Sequence, residues 1–324
     1  MSASAPALIG IAKLATEGHV LTNKSRVEYR TLPTRRLLNR CDSRRVPFDW
    51  TINPYRGCEY GCKYCYARYT HEFMERWHPE AFETEIYAKD WDEASFRREL
   101  RTVRRGQSIA LGTATDPYQP AERRYERSRR ILEVLATISG RRVYLTTKSD
   151  LCARDVDLWR KVAEGNQVAV AITVTTTDAA LARLLEPYAP RPDLRLAAVT
   201  QFAEAGIRVG VIASPVLPMI TDSSSSLDAV AVAAKQAGAT TFGANVLFLK
   251  PCSQRVFFPF LEEQFPNLFA RYKANYEHDA FIKGAYPERI RQIVKQIREK
   301  YGLFARDAGE TPMPAEAEQL TLFS

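Results

Sequence analysis

Short apolar runs alternate with longer stretches of helical spacing through the middle of the chain. Between these runs, apolar residues recur every three or four positions, as at Ile131, Leu132 and Leu135, and Gly140 stands where such a helix would stop. Strands that alternate with helices indicate a parallel sheet with helices outside it. The β-prone runs are Trp50–Tyr55, Ser108–Thr113, Arg142–Thr147, Gln167–Thr175, Ile207–Pro215 and Thr240–Leu249. Six βα units predict an α/β fold, a partial (βα)6 TIM-like barrel rather than a closed eight-stranded one.

The pattern changes at both ends of this alternation. Residues 1–46 are polar and arginine-rich with little periodicity, which predicts an N-terminal arm with a short helix around Leu37. Residues 47–252 then form the barrel. Residues 253–304 form a helical C-terminal extension, in which Pro287 begins an amphipathic helix. Residues 305–324 carry Pro, Glu, Ala and Thr without periodicity and are expected to be a disordered tail.

Composition places the chain among soluble globular proteins, with 45% hydrophobic and 26% charged residues in 324. Membrane helices need about 20 apolar residues in a row, and no run approaches that length. Ala7–Leu14 is too short for a signal peptide and lacks a basic leader. We therefore expect a cytoplasmic protein with no membrane partner. A net charge of +8 suits a polyanionic partner such as DNA, although many proteins without that role are equally basic.

Three of the six cysteines crowd into one loop, Gly57-Cys58-Glu59-Tyr60-Gly61-Cys62-Lys63-Tyr64-Cys65-Tyr66. In a reducing compartment this crowding is typical of metal binding or redox chemistry. Three thiolates cannot complete a tetrahedral zinc site, so a structural zinc would need Cys41 or His71 as its fourth ligand. The same thiolates can hold three irons of a [4Fe–4S] cluster and leave the fourth iron open.

The motif Cys58-x3-Cys62-x2-Cys65, with Tyr64 before the third cysteine, resembles the signature of the radical S-adenosylmethionine (radical SAM) superfamily. This resemblance implies a partial barrel with its site at the carboxyl ends of the strands. It also implies a [4Fe–4S] cluster that binds S-adenosyl-L-methionine and cleaves it reductively. The 5′-deoxyadenosyl radical so released takes a hydrogen atom from the substrate. A flavodoxin- or ferredoxin-type protein is the implied electron donor.

The strand ends resemble the DNA-repair-photolyase branch of that superfamily, whose characterised member is spore photoproduct lyase. The resemblance implies that Lys148 contacts the methionyl carboxylate, while Thr173 or Thr175 contacts the ribose or carboxylate. Ser214 would contact the adenine and Tyr64 would pack on it. Each of these residues has an alternative interpretation as a capped strand end or a solvated side chain. The full set of implied cofactor-binding residues is Tyr64, Thr113, Thr115, Asp116, Lys148, Thr173, Thr175 and Ser214.

One position departs from this branch. Spore photoproduct lyase carries a cysteine at the end of its second strand as a hydrogen donor, and the corresponding position here is Thr113. A hydroxyl is a far poorer hydrogen-atom donor than a thiol, so the resemblance does not imply thymine-dimer reversal by that route. Cys152 and Cys252 follow strand ends and are the candidate catalytic hydrogen donors. The alternative is that each is a small buried apolar residue.

Two arginine clusters and the C-terminal peptide are candidate partner sites. One cluster lies on a predicted helix over Glu93–Arg105, and the second spans Arg123–Arg130. They either bind a phosphate backbone or form solvated helix faces paired with neighbouring glutamates. Gln319-Leu320-Thr321-Leu322-Phe323 resembles the peptide by which bacterial repair proteins dock on the replicative sliding clamp.

These observations together predict a radical SAM enzyme, lyase-like, that acts on nucleic acid in DNA repair. Two alternatives stay open: a radical SAM enzyme that modifies a peptide or small metabolite, and a zinc-bound DNA-binding module.

Overall fold

Eleven strands form two sheets in the computed structural model, which describes residues 8–23, 26–42 and 46–304. The strands are β1 (Val20–Asn23), β2 (Glu28–Pro33), β3 (Leu38–Arg40), β4 (Trp50–Ile52), β5 (Tyr55–Arg56), β6 (Glu85–Asp90), β7 (Ser108–Leu111), β8 (Arg142–Thr147), β9 (Gln167–Thr173), β10 (Val209–Val216) and β11 (Thr241–Val246). The larger sheet has the order β11-β10-β9-β8-β7-β4-β3. Its first six strands are parallel, and β3 pairs antiparallel with β4. Since β11 and β3 are edges, the sheet is open across the described residues, and the predicted α/β partial barrel is confirmed.

Thirteen α-helices accompany the strands in the described part of the chain. They are α1 (Gly10–Glu17), α2 (Tyr69–Glu72), α3 (Ala81–Thr84), α4 (Glu93–Leu100), α5 (Glu122–Tyr125), α6 (Arg127–Leu135), α7 (Val156–Gly165), α8 (Ala179–Leu185), α9 (Pro192–Glu204), α10 (Ser224–Gln236), α11 (Pro251–Gln264), α12 (Pro266–Tyr276) and α13 (Ala285–Tyr301). Apolar faces of α4, α6, α7, α9, α10 and α13 pack against alternate side chains of the larger sheet. Two short 3₁₀-helices, Tyr66–Arg68 and Asp150–Asp155, lie between these elements.

Local sequence explains where several helices begin. The Asp92 carboxylate accepts the backbone N–H of Ser95 at 2.7 Å and caps α4, and Ser223 caps α10 in the same way. Proline occupies the first turn of α9 and α11, where its missing N–H costs nothing. Gly140 has φ +78°, as expected for a residue that ends a helical segment.

Several predicted boundaries were wrong by a few residues. Strand β7 stops at Leu111, β9 at Thr173 and β11 at Val246. After β11 the chain stays apolar, but Leu247 and Leu249 pack into the second core instead of continuing the strand. The predicted strand over Trp50–Tyr55 is divided, and Tyr55 joins the smaller sheet. The predicted helix over Glu93–Arg105 ends at Leu100, so its last arginines lie in a turn.

The arm contains regular structure that its sequence did not predict. Strands β1 and β2 of the arm join β6 and β5 in a four-stranded sheet of order β1-β2-β6-β5, in which β2 runs parallel to β6. The helix predicted around Leu37 is wrong, because Leu38 instead begins strand β3 and pairs with Ile52. The tail, including Gln319–Phe323, lies outside the described residues.

A second apolar core lies beside the first and contains the three-cysteine loop. Cys58 and Cys62 share it with Leu185 of α8, Phe257 of α11 and other side chains of α11 and α12. Within the described residues, no helix is long and apolar enough to span a membrane. Side chains of α11 and α12 pack against the cysteine loop in this second core.

Candidate active site at the carboxyl ends of the parallel strands

The cysteine loop leaves β5 and is fixed by hydrogen bonds to three other segments. The backbone N–H of Cys58 donates to Phe82 O at 2.9 Å. The Gly57 carbonyl accepts the Thr115 hydroxyl at 2.6 Å and the Gln119 side-chain amide at 3.0 Å, both from the loop after β7. The Lys63 N–H donates to Leu185 O at 3.0 Å. These contacts hold the loop against the ends of the strands.

Glycine is required where the loop turns. Gly57 has φ +79°, and a Cβ there would lie 2.8 Å from the carbonyl oxygens of Phe82 and Glu85. Gly61 has φ +60°, and a Cβ there would lie 3.1 Å from the ring of Tyr188. A larger residue at Gly57 would therefore push the first cysteine away from its backbone anchor.

The loop brings three thiols into a largely buried environment. Cys58 and Cys62 are buried and Cys65 is half-buried. Burial raises the pKa of all three thiols, most strongly at Cys58 and Cys62. The Arg68 guanidinium acts against this at Cys65, and Arg68 also donates to Cys62 O at 3.2 Å. Such thiols become thiolates only beside a positive charge, so this donor set fits a bound metal group.

The described residues do not converge on a single ion. No group of three or more His, Cys, Asp or Glu side chains among them could hold one. His71, the candidate fourth zinc ligand, shares a hydrogen bond with Glu85 O at 2.9 Å and packs against the rings of Phe82 and Tyr87. Three thiolates on one loop can also each bind a different metal atom of a cluster.

A buried carboxylate, Glu186, gathers several of the predicted cofactor-binding residues. Its Oε1 accepts the Tyr64 hydroxyl and the Thr175 hydroxyl, the latter at 2.7 Å. The ammonium of Lys148 lies 3.6 Å from the same oxygen. On the other side, Arg195 places a guanidinium nitrogen 2.5 Å from Oε2. We call Tyr64, Lys148, Thr175, Glu186 and Arg195 the strand-end network.

Charge stabilises Glu186 as a carboxylate. Burial alone would raise its pKa, but the charges of Arg195 and Lys148, with the two hydroxyl donors, lower it to about 2. Arg195 is itself buried and donates to Thr173 O at 3.1 Å and to Pro190 O at 2.7 Å. Glu186 therefore remains ionised at neutral pH and fixes the Tyr64 ring beside the third cysteine.

Lys148 is held only by long contacts. Its ammonium is 3.5 Å from Ser214 O, 3.6 Å from Glu186 and 5.8 Å from the centre of the Tyr64 ring. Charge-assisted hydrogen bonds are normally 2.7–2.9 Å long. The side chain is thus available to a closer anionic group at the strand ends.

The residues after β7 form a second set. Asp116 accepts the Thr147 hydroxyl and the backbone N–H of Lys148, both at 2.7 Å, and so joins the ends of β7 and β8. Burial raises the pKa of Asp116 in spite of these donors. The Thr115 hydroxyl donates to the Gly57 carbonyl of the cysteine loop. The Thr113 hydroxyl accepts a hydrogen bond from the side-chain amide of Asn53 at 3.0 Å. These three residues organise the loops around the site.

The other predicted residues also lie at this edge. Ser214 contributes its carbonyl to both Lys148 and Thr175. Thr173 ends β9 and is buried, with its carbonyl bound to Arg195. Their roles toward a cofactor stay predictions.

The two candidate hydrogen-donor cysteines occupy different surroundings. Cys152 is fully buried in the main core and donates to Ser149 O at 3.0 Å. Cys252, at the start of α11, lies 4.0 Å from the carbonyl of Tyr66, just after the third cysteine. The neighbouring Ser253 hydroxyl donates to Cys65 O at 2.7 Å. Only Cys252 is therefore next to the cysteine loop.

Sequence reasoning missed Glu186, Arg195 and Gln119. Glu186 follows α8 and Arg195 lies inside α9, where charged residues ordinarily face solvent. Gln119 lies four residues after Thr115 and donates to its hydroxyl at 3.0 Å. The only available signal was the Arg-Pro-Asp helix start at residues 191–193, which does not identify a buried arginine.

A comparison with protein families agrees with this site. The model of the radical SAM superfamily matches residues 52–226, more than half of the chain and including all three cysteines. The chain belongs to the radical SAM superfamily and is a radical SAM enzyme.

Relatives of this chain occur in bacteria and archaea. The uncharacterized protein Rv2578c of Mycobacterium tuberculosis is 37% identical over 286 residues, which cover 86% of this chain and 83% of the relative. The uncharacterized protein MJ0683 of Methanocaldococcus jannaschii is 29% identical over 177 residues, 53% of this chain and 62% of the relative.

Solved structures of spore photoproduct lyase share the fold. One, complexed with dinucleoside spore photoproduct, is 12% identical with a TM-score of 0.63, covering 84% of this chain and 79% of that chain. A mutant with bound S-adenosylmethionine and the same photoproduct is 13% identical with a TM-score of 0.59, covering 81% of this chain and 76% of that chain. The resemblance predicted from the strand ends is thus confirmed at the level of the fold.

Proposed function

We propose that this radical SAM enzyme holds a [4Fe–4S] cluster on Cys58, Cys62 and Cys65 and acts on nucleic acid as a lyase-like enzyme of DNA repair. The observation that carries the proposal is the position of the cysteine loop, whose two buried thiols and one half-buried thiol lie beside the strand-end network. When bound, the cluster and S-adenosylmethionine supply a 5′-deoxyadenosyl radical that abstracts a hydrogen atom.

The chain's own residues bind and orient in this proposal. Lys148, held only at 3.5–3.6 Å, closes on the carboxylate of the methionyl group. Glu186 keeps the Tyr64 ring in place beside Cys65 for the adenine. The second core, with α11 and α12, excludes water from the loop.

Three observations support nucleic acid as the substrate class. The net charge is +8, and the shared fold belongs to spore photoproduct lyase, whose structures include complexes with a dinucleoside photoproduct. Arg123 and Arg124, which follow the loop after β7, are exposed on α5 and suit contact with a phosphate backbone.

The test is anaerobic reconstitution with iron and sulfide, followed by dithionite and S-adenosylmethionine, with 5′-deoxyadenosine measured by chromatography. We expect deoxyadenosine from the wild type, none from Cys58→Ala, and stimulation when single-stranded DNA is added. Formation that DNA leaves unchanged would contradict the nucleic-acid part alone. A protein that binds zinc and yields no deoxyadenosine would contradict the proposal as a whole.

Partners follow from the same proposal. A flavodoxin- or ferredoxin-type protein would replace dithionite as electron donor in the cytoplasm. The peptide Gln319–Phe323 would dock on the replicative sliding clamp. A peptide of residues 306–324 that does not bind purified clamp at high micromolar concentration would contradict that docking.

A further inference from the structure

Three half-buried aromatic rings, Tyr66, Phe248 and Phe281, form a row of consecutive contacts. Tyr66 directly follows the third cysteine, and its hydroxyl donates to Thr113 O after β7. The ring of Tyr66 meets the ring of Phe248, after β11, edge-on with centroids 6.3 Å apart. The centroids of the Phe248 and Phe281 rings are 4.5 Å apart. The row thus links the cysteine loop to the segments that follow β11 and α12 in the chain.

Two cations lie near Tyr69, three residues after Tyr66, without a carboxylate partner among the described residues. The Lys250 ammonium lies 4.0 Å from the centre of the Tyr69 ring and 6.0 Å from that of Phe248. Arg56 donates to Thr70 O at 3.2 Å, while its buried Nε has no hydrogen-bond partner. Burial lowers the pKa of Arg56. Burial raises the pKa of Tyr69 to about 12, and the charge of Arg56 acts against it.

Cations in such surroundings are normally paired. A buried or half-buried charge without a counter-ion costs free energy, and a bound anion would offset that cost. Aromatic rings alone would suit many apolar ligands. Rings next to unpaired cations are typical of surfaces that bind single-stranded nucleic acid, where bases stack and phosphates are neutralised.

We propose that Tyr66, Phe248 and Phe281 stack an unpaired base of a single DNA strand, and that Lys250 and Arg56 bind its neighbouring phosphates. We call these five residues the base platform. This inference rests on the proposed function and specifies its substrate class: an unpaired nucleotide rather than the flat edge of an intact duplex.

The experiment measures equilibrium binding of fluorescein-labelled 12-mers to the reconstituted holoenzyme by fluorescence anisotropy. One 12-mer is oligothymidylate, and the other has the same backbone without bases. We expect Phe248→Ala and Phe281→Ala each to weaken oligothymidylate binding about tenfold and to leave binding of the abasic strand unchanged. Phe248→Tyr should retain affinity because it keeps the ring.

Lys250→Gln should weaken both strands equally and lower the salt-dependence slope by about 0.7, the loss of one phosphate contact. The matched controls are Phe304→Ala, an exposed ring elsewhere, and Lys295→Gln, which pairs with Glu299 on α13. Both controls should bind as the wild type does. Circular dichroism and iron content verify that each variant is folded and loaded.

Equal losses on the two strands, or no loss in the phenylalanine variants, would overturn the base platform while the wild type still bound DNA. In that case DNA-stimulated deoxyadenosine formation would leave the proposed function standing. If the wild type bound neither strand, both the platform and the nucleic-acid substrate would be wrong.

Discussion

Lys148 and Arg154 are half-buried cations beside buried carboxylates, six residues apart, and they are held in opposite ways. Arg154 makes close contacts, with nitrogens 2.8 and 2.9 Å from the Asp155 oxygens and 3.2 Å from Glu122. Lys148 comes no closer than 3.5 Å to any acceptor the structure describes. The Arg154 guanidinium therefore stabilises the fold, whereas the Lys148 ammonium is free to bind a further anion at close range.

The carboxylates differ in the same way. Glu122 accepts the backbone N–H groups of Ser128 at 2.9 Å and Arg129 at 3.0 Å, so it fixes the start of α6. Glu186 accepts mostly from side chains of the strand-end network. Glu122 therefore stabilises the start of a helix, whereas Glu186 joins side chains from four different segments of the chain.

The largest expected effect is on iron binding, which should depend on the thiols of the cysteine loop but not on the Cys152 thiol of the main core. Cys58→Ala should abolish iron binding and deoxyadenosine formation, because two thiolates remain where three are needed. Cys152→Ala, in the main core, should retain iron and lose only some stability. Iron and sulfide analysis measures both, and a Cys58→Ala protein with a full cluster would contradict the assignment.

Removal of the Arg154 charge should destabilise the fold. Arg154→Met leaves Asp155 with Arg129 as its remaining partner and should lower the free energy of unfolding by about 3 kcal/mol. Affinity for S-adenosylmethionine should not change in the protein that remains folded. Urea unfolding and equilibrium dialysis provide the two readouts. A stable variant with weakened S-adenosylmethionine binding would reverse the comparison.

Acid should act on the strand-end network through Glu186. Its pKa is about 2 in the folded protein against 4.5 when unperturbed, so its contribution is present above pH 4.5 and is lost as pH falls toward 2. Between pH 5 and pH 3 this amounts to about 2 kcal/mol. Urea unfolding of Glu186→Gln should therefore show a smaller loss of stability over that interval than the wild type. Parallel pH profiles would exclude this role.

Removal of the Lys148 charge should weaken S-adenosylmethionine binding and leave the stability of the fold almost unchanged. Lys148→Met should weaken S-adenosylmethionine binding by about 10- to 100-fold, the loss of one charge-assisted hydrogen bond. Its free energy of unfolding should change by less than about 1 kcal/mol, because only long contacts disappear and Arg195 still neutralises Glu186. Equilibrium dialysis with the reconstituted protein measures the first value, and an unchanged affinity would refute the role.

The smallest effect concerns exposed arginines. Arg123→Gln with Arg124→Gln should weaken single-stranded DNA binding a few-fold and reduce the salt slope by about 1.4. Arg97→Gln is the control, because Arg97 already bonds Glu93 at 2.8 Å and Thr137 at 2.6 Å. Equal effects of the two changes would mean that α5 has no special contact with DNA.

Patterns that are local in sequence predicted most of the barrel and part of the site. Strand β8 matches its prediction, Arg142–Thr147, because a short β-prone run follows Gly140 and ends in a polar turn. Lys148 could be placed at the strand ends for the same reason. The cysteine spacing identified the superfamily without any structure.

The rest depends on contacts between distant segments. Strand β2 is held by parallel pairing with β6, more than 50 residues away, and its own sequence shows no clear alternation. Glu186 and Arg195 were missed because a charged residue at a helix end or on a helix predicts solvent exposure. Their burial follows from the closure of α8 and α9 over the strand ends, which no local pattern records.

The bond from the Ser253 hydroxyl to Cys65 O joins positions 188 residues apart. A ribosome adds about 5–20 residues per second, so this stretch takes roughly 10 to 40 s to synthesise. Throughout that interval the growing chain carries its three thiols without the serine that anchors Cys65. The anchor between Ser253 and Cys65 therefore forms only after the start of α11 has been synthesised, later than the contacts of the loop with Phe82, Thr115 and Leu185.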